Sequence, residues 1–155
     1  MPEITIEKLN EKNFDQFLFL LEKFAEFEHL VPPDADARVR LRADGLSDRP
    51  AFKAYLGYLE GTPVAYVTFY LTYSTFLALP TLFLEDIFVI EEYRNAGIGR
   101  KLFEFCKDEA AKRNCGRIDW MVLTWNKTAI GFYERCGGRR LDWYAYRIER
   151  DGFLK

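Results

Sequence analysis

Residues 85–105 read EDIFVIEEYRNAGIGRKLFEF, and this stretch is the most informative one about the fold. Residues 87–90 form a continuous apolar run, which is typical of a central strand buried on both faces. Arg94, Gly97 and Gly99 follow, and an apolar pattern at helical spacing begins at Ile98. The stretch therefore predicts a strand that leads through a short glycine-containing turn into a helix.

The residues of this turn leave two interpretations open. Gly97 and Gly99 let the backbone approach a ligand closely, and the first N–H groups of a helix attract anions. Arg94 and Arg100 add cationic donors, so the turn is a candidate phosphate grip. The other interpretation is an ordinary turn with solvated arginines. A Rossmann fingerprint is disfavoured because its third glycine is missing, and a P-loop because its Gly-Lys-Ser/Thr is missing.

The composition predicts one packed domain over residues 1–155, with 49% hydrophobic and 30% charged residues. A net charge of −2 gives no electrostatic case for binding nucleic acid or an anionic membrane. No apolar run approaches the roughly 20 residues that span a bilayer, and the N-terminus lacks a secretory signal. Three cysteines at no metal-ligand spacing and a single histidine predict no metal site, and we expect a reduced, cytoplasmic protein.

The apolar period changes several times along the chain, which predicts a mixed α/β fold in the order β-α-α-β-β-β-α-β-α-β. A hairpin is expected around residues 60–62, and Asn13 is a candidate cap for the first long helix. The predicted helices cover 14–28, a polar stretch after Pro33, 98–113 and about 126–137. The predicted strands are EITIEKL, two within AFKAYLGYLEGTPVAYVTFYLTY, TLFLEDIFVI, RIDWMVL and RRLDWYAYRIE.

Glu85 and Asp86 are adjacent carboxylates inside an otherwise apolar strand. In a regular strand their side chains point to opposite faces. A partly buried carboxylate has a raised pKa and is a usable general base. The alternative is a structural carboxylate satisfied at a bulge or at the rim of the sheet.

A second candidate lies in WNKTAIGFYERCG, where Tyr133 follows Asn126 by two helical turns, so both lie along one helix face. Asn126 offers an amide donor and acceptor. Tyr133 offers a weak acid with a pKa of about 10, comparable to that of a leaving thiolate. The alternative is a helix cap and a packed aromatic ring.

Taken together, these motifs resemble those of the GCN5-related N-acetyltransferase (GNAT) superfamily. YRNAGIG fits its R/Q-x-x-G-x-G/A signature, and WNKTAIGFYERCGG is similar to its later N-x-x-A-x-x-F-Y-x-x-x-G motif. The resemblance extends over about residues 3–138 to the diamine acetyltransferases, the spermidine/spermine N1-acetyltransferase-like branch. It implies a mixed, mostly antiparallel sheet of six to seven strands with about four helices.

The resemblance implies acetyl-CoA as the co-substrate and assigns its site by position. Ile87, Phe88 and Val89 would pair through their backbone with the pantetheine arm. The pyrophosphate would be held by the turn that comprises Arg94, Asn95, Ala96, Gly97, Ile98, Gly99 and Arg100. The later helix would contact the cofactor through Asn126, Ala129 and Phe132.

The same resemblance implies transfer of an acetyl group to a primary amine by direct attack. Glu85 would be the base, through a water, and Tyr133 the general acid. Phe27 and Glu28 would line the amine site, and Asp86 would add negative charge that favours a small cationic, diamine-like or polyamine-like substrate. The family also leads us to expect a homodimer.

Two departures argue against a polyamine itself as the substrate. The polyamine branch carries a longer acidic segment after the tyrosine helix, where this chain has Arg139, Arg140 and a lone Asp142. Phe27 stands where that branch tends to carry tyrosine. A smaller or differently charged amine is therefore expected, with a protein-lysine acetyltransferase or a non-catalytic acyl-CoA sensor as the alternatives.

Overall fold

The computed structural model describes residues 3–155, which divide into two compact units. The first unit ends at Met121, and the second is Val122–Lys155. The expectation that residues 1–155 form a single domain stays a prediction. In the part of the chain that the structure describes, no helix is long and apolar enough to cross a membrane.

The first unit holds a five-stranded sheet in the order β1-β2-β3-β4-β5. All neighbouring pairs are antiparallel except β4 and β5, which are parallel. This mixed α/β arrangement confirms the predicted fold class, with five strands in place of the six to seven expected. The strands are β1 (Ile4–Lys8), β2 (Lys53–Leu59), β3 (Thr62–Ser74), β4 (Leu79–Val89) and β5 (Arg117–Trp120).

Two helices cover opposite faces of this sheet. Helix α1 (Phe14–Glu28) buries Phe17 against Tyr66 of β3, with the ring centroids 5.6 Å apart. Helix α3 (Ile98–Lys112) packs on β3, β4 and β5 and buries Leu102, Phe103 and Cys106. The remaining helix of this unit, α2 (Ala35–Gly45), is polar and has no buried residue.

Local signals in the sequence explain several boundaries. The hairpin predicted around residues 60–62 is confirmed: Glu60 and Gly61 join β2 to β3, and both have positive φ, at 48° and 80°, as a two-residue turn requires. Asn13 lies at the N-terminus of α1 as expected, but the prediction that its side chain caps the helix is wrong. Its amide instead closes the preceding loop, accepting from the backbone N–H of Asn10 and donating to the carbonyl of Lys8.

The second unit contains α4 (Lys127–Arg135) and a short 3₁₀ turn, Arg150–Gly152. The strand predicted from RRLDWYAYRIE does not form, since none of these residues has strand structure. Trp143, Tyr144, Tyr146 and Ile148 are largely exposed. A sequence alternation produces a strand only where another strand pairs with it, and here none does. The strand predicted from RIDWMVL is likewise shorter, because β5 ends at Trp120.

Candidate active site

An irregularity in β4 places the two central carboxylates. Leu84 lies opposite Phe69 of β3, and Asp86 lies opposite Thr68, so Glu85 is an extra residue with no partner across the strands. This is a β-bulge, which bends a strand and changes the direction of its side chains. The register is regular again from Asp86 to Val89.

The bulge brings both carboxylates to one face of the sheet. The Tyr70 hydroxyl donates to Glu85 Oε2 at 3.0 Å, and the Thr68 hydroxyl donates to Asp86 Oδ2 at 3.1 Å. Thr68 and Tyr70 are two residues apart on β3 and therefore share a face. The expectation that Glu85 and Asp86 point to opposite faces is wrong, because it assumed a regular strand.

The two carboxylates differ in their surroundings. Glu85 is exposed, whereas Asp86 is partly covered. Burial, as the largest cause, and the charges of Glu85 and Glu28 together raise the pKa of Asp86 to about 6, against the lowering effects of the Thr68 hydrogen bond and of the Tyr66 hydroxyl. The pKa of Tyr70 is raised to about 12, first by burial and then by its bond to Glu85. A carboxyl group that titrates near pH 6 is well suited to proton transfer.

The end of α1 completes this cluster. The Phe27 ring lies 6.4 Å from that of Phe88, which is opposite Tyr66 on the face that α1 covers. Glu28 is close enough to raise the pKa of Asp86, and burial raises the pKa of Glu28 itself. The structure thus brings together the four residues predicted for the amine site; these are Phe27, Glu28, Glu85 and Asp86.

Beyond the bulge, one edge of β4 is open. Strand β5 pairs with β4 only at residues 81–84. From Glu85 to Val89, no strand among residues 3–155 pairs with that edge. The backbone of Ile87, Phe88 and Val89, which the sequence analysis assigned to the pantetheine arm, lies in this open stretch. An extended ligand can add to such an edge through backbone hydrogen bonds.

The turn after β4 contains residues with positive φ, as its glycines suggest. Asn95 and Gly97 have positive φ, at 63° and 79°, and α3 begins directly afterwards at Ile98. The Lys101 N–H donates to the carbonyl of Gly97 at 3.0 Å. Ala96 and Arg100 are exposed, and Gly99 is partly covered in the first turn of the helix. This helix N-terminus is available to bind an anion.

The side chain of Arg94 makes contacts that the sequence did not suggest. Its Nε donates to the carbonyl of Val89 at 2.8 Å, and its Cζ lies 4.3 Å from the centroid of the Phe27 ring. A second, longer contact of 5.7 Å reaches the Phe88 ring. Arg94 therefore joins the glycine turn to the aromatic end of α1 through a cation–π contact. No pattern in the sequence signals such a contact between distant segments.

In the second unit, the predicted motif forms a capped helix. The Asn126 side chain accepts from the backbone N–H of Ala129 at 3.1 Å, which is a standard N-terminal cap. The Phe132 and Tyr133 rings lie 5.3 Å apart in an edge-to-face arrangement, and both are partly covered. After α4, Gly137 has a φ of 96° and the Gly138 N–H donates to the carbonyl of Tyr133. The helix is thus fixed at both ends.

The sequence analysis missed three polar residues of β3, namely Tyr66, Thr68 and Tyr70. They alternate along β3 beside the bulge, and the alternation was visible in AYVTFYLTY. Their role depends on the register with β4, which the sequence did not provide. Among residues 3–155, no group of three or more His, Cys, Asp or Glu side chains could hold a metal ion.

An open strand edge, a glycine turn at a helix N-terminus and an adjacent acidic cluster are the features of an acyl-CoA-dependent N-acyltransferase. The sequence profile described as "Acetyltransferase (GNAT) family" matches residues 15–138. The chain therefore belongs to the GNAT acetyltransferase family. It is an acetyl-CoA-dependent N-acetyltransferase, and its relatives support the diamine acetyltransferase branch.

A curated relative agrees with this assignment, and solved structures share the fold. Thialysine N-epsilon-acetyltransferase from Sus scrofa is 30% identical over 161 residues, covering 96% of this chain and 94% of that protein. A crystal structure described as a probable acetyltransferase superposes with a TM-score of 0.82 at 21% identity, covering 94% and 97% of the two chains. An aminoglycoside N-acetyltransferase in complex with CoA gives 0.78 at 14% identity, covering 97% of each. These two likenesses show the fold alone.

Proposed function

We propose that this enzyme transfers the acetyl group of acetyl-CoA to the primary amine of a small cationic substrate. Candidate substrates are diamines, polyamines and basic amino acids with a side-chain amine, such as the thialysine named for the Sus scrofa relative. The observation that carries the proposal is the group of three carboxylates beside the open edge of β4, contributed by Glu28, Glu85 and Asp86. Such a cluster favours a cation, and Phe27 adds an aromatic surface to it.

In this proposal the reaction is direct attack. Glu85, through a water, takes a proton from the substrate ammonium, and the neutral amine then attacks the thioester carbonyl. Backbone N–H groups around Phe88 polarise that carbonyl, Tyr133 protonates the departing thiolate, and the second proton lost by the attacking nitrogen restores Tyr133. Binding both substrates in one cleft contributes the proximity that a reaction without a covalent enzyme intermediate requires.

The acetyl-CoA site is proposed on the same grounds as in the family. The backbone of residues 87–89 faces the open sheet edge, and residues 94–100 present a helix N-terminus with positive-φ turn residues. The family motif also assigns Asn126, Ala129 and Phe132 to the cofactor. Asn126 already uses its amide oxygen as a helix cap, which leaves its NH₂ group to donate to the cofactor.

The test is a thiol-release assay with acetyl-CoA against a panel of diamines, polyamines, thialysine, ornithine, lysine and a lysine-containing peptide. The proposal predicts release with at least one free amine and lower turnover with the peptide. Release only with the peptide would favour the protein-lysine alternative. Binding of acetyl-CoA by calorimetry without release from any acceptor would favour a sensor.

We also propose a homodimer. The exposed aromatic residues of the second unit, including Trp143, Tyr144 and Tyr146, provide an apolar surface for it. Light scattering coupled to size-exclusion chromatography tests this directly. A mass near the 18.3 kDa of one chain at micromolar concentration would contradict it.

A further inference from the structure

The Tyr66 hydroxyl is buried, and no group among residues 3–155 forms a hydrogen bond with it within 3.5 Å, while its ring is tightly packed. Tyr66 is 0% exposed, and Phe17, Phe24 and Phe88 surround its ring at 5.6, 6.2 and 6.1 Å. Leaving a hydroxyl unpaired in an apolar interior costs about 1–3 kcal/mol, and phenylalanine would avoid this cost. Packing alone therefore does not explain the tyrosine.

Among the carboxylates that act on this hydroxyl, which are those of Asp86, Glu28 and Glu85, Asp86 has the largest effect. The charge of Asp86 helps to raise the pKa of Tyr66, after burial as the main cause. Asp86 lies two residues before Phe88, whose ring contacts Tyr66, and its other neighbour is the Thr68 hydroxyl at 3.1 Å. When Asp86 is ionised, Thr68 donates to it, and the Tyr66 hydroxyl also favours this form. When Asp86 is protonated, its own O–H can donate to the oxygen of Tyr66.

This arrangement accommodates both protonation states of Asp86. A buried carboxylate is normally costly in one state or the other, depending on its partners. Here the charged groups around it are Glu85 on the same strand and Glu28 on α1, and both favour the protonated form, as does burial. No cation pairs with Asp86 in the hydrogen bonds and ion pairs of residues 3–155.

We propose that Asp86 is a further catalytic residue, which accepts the proton of the substrate ammonium in a relay with Glu85, and that Tyr66 and Thr68 are its positioning residues. This inference rests on the proposed function. An N–H bond of the ammonium breaks, its electron pair stays on nitrogen, and an O–H bond forms on Asp86. The proton then passes to exposed Glu85 and to water, which leaves Asp86 ionised for the next turnover. The net reaction releases one proton for each acetyl group transferred from thioester to ammonium.

The pKa values of the groups favour Asp86 as the first acceptor of the proton. A substrate ammonium has a pKa near 10, so a carboxylate of ordinary pKa near 4 is a poor acceptor. Burial and the neighbouring carboxylates raise the pKa of Asp86 to about 6, which makes the transfer less unfavourable. Glu85 is exposed, so it connects this cluster to solvent.

The test is the pH profile of kcat/KM for the amine, measured for wild type, Asp86→Asn, Thr68→Val and Tyr66→Phe. Wild type should lose activity as the pH falls through about 6, because Asp86 must be ionised to accept a proton. Asp86→Asn should lower kcat/KM by about 100-fold and abolish that acidic limb. Thr68→Val removes a bond that favours the ionised form, so its limb should move to higher pH.

Tyr66→Phe separates a positioning role from a structural one. It should raise or preserve the thermal midpoint, since it removes an unpaired buried hydroxyl, while kcat falls about tenfold or more at unchanged KM for acetyl-CoA. Matched controls are Asp108→Asn, Thr72→Val and Tyr73→Phe, all at exposed positions outside the site. These should match wild type in rate and profile.

The outcomes distinguish this inference from the function on which it rests. If wild type turns over and both Asp86→Asn and Thr68→Val keep the wild-type acidic limb, the role of Asp86 is overturned. The acetyltransferase proposal then still stands. No wild-type turnover with any amine overturns both. If Asp86→Asn does not fold, as judged by circular dichroism, the limb of Thr68→Val decides: an unmoved limb overturns the proposal.

Discussion

The Arg94 guanidinium lies over the Phe27 ring, with its Cζ 4.3 Å from the ring centroid, and its Nε donates to the carbonyl of Val89. One side chain thus joins the turn predicted to hold pyrophosphate to the aromatic residue predicted to line the amine site. Arg94 and Arg100 were expected to act alike as cationic donors. The contacts indicate that they act differently, because Arg100 is exposed and Arg94 is partly covered.

Arg94→Gln should therefore raise the KM for the amine as well as that for acetyl-CoA. The loss of a cation–π contact worth about 0.5–2 kcal/mol predicts a roughly 2- to 30-fold rise for the amine, because Phe27 is no longer held in place. Arg100→Gln is the matched control and should raise only the KM for acetyl-CoA. Steady-state kinetics with each substrate varied in turn measure both. An amine KM that is equally unaffected in the two variants would contradict a link through Phe27.

Gly97→Ala should lower both stability and cofactor affinity. Gly97 has a φ of 79°, which costs about 1–2 kcal/mol for a residue with a Cβ, and an added Cβ would meet nothing within 4 Å. Gly61→Ala is a matched control, because Gly61 has a φ of 80°, equally open surroundings and a place in the β2–β3 hairpin. Urea denaturation should show similar losses in both variants, and only Gly97→Ala should weaken acetyl-CoA binding by calorimetry. Equal affinities of Gly97→Ala and Gly61→Ala for acetyl-CoA would argue against a cofactor role for this turn.

Glu109→Gln should destabilise the first unit by about 1–3 kcal/mol. Its side chain is 9% exposed and pairs with Arg113 at 2.7 Å and Lys112 at 3.2 Å. Removing the carboxylate leaves the partly covered Arg113 guanidinium without its anion, whereas Lys112 is largely exposed. Glu104→Gln on the same helix breaks an exposed pair with Lys107 and should cost at most about 1 kcal/mol. The free energies of unfolding in urea measure both, and equal losses would contradict the effect of burial.

Sequence periodicity predicted α1 well but could not predict the bulge in β4. The apolar positions and Asn13 mark the start of α1 at Phe14, and the predicted end at residue 28 is the observed one. The bulge depends on which β3 residue faces which β4 residue, and register is a property of the pair of strands. The placement of Glu85 and Asp86 on one face, and with it the roles of Thr68 and Tyr70, required the structure.

The C-terminal segment shows a different limit. Its aromatic and β-branched alternation suits a strand, yet Trp143 and Tyr146 are 77% and 93% exposed and no strand forms. Strand propensity reflects packing against neighbours more than an intrinsic backbone preference. Local sequence patterns could not predict the Arg94–Phe27 contact either, because the two residues are 67 positions apart in the chain.

We propose that the enzyme acetylates a small cationic amine with Tyr133 as the general acid. The most direct measurement is mass spectrometry of an equimolar mixture of thialysine, ornithine, lysine, diamines and polyamines incubated with acetyl-CoA and either wild type or Tyr133→Phe. We predict one or a few mono-acetylated amines in a 1:1 ratio with released CoA, formed at least about 100-fold more slowly by the variant. Release of CoA without any acetylated small amine, or equal rates for the two proteins, would contradict the claim.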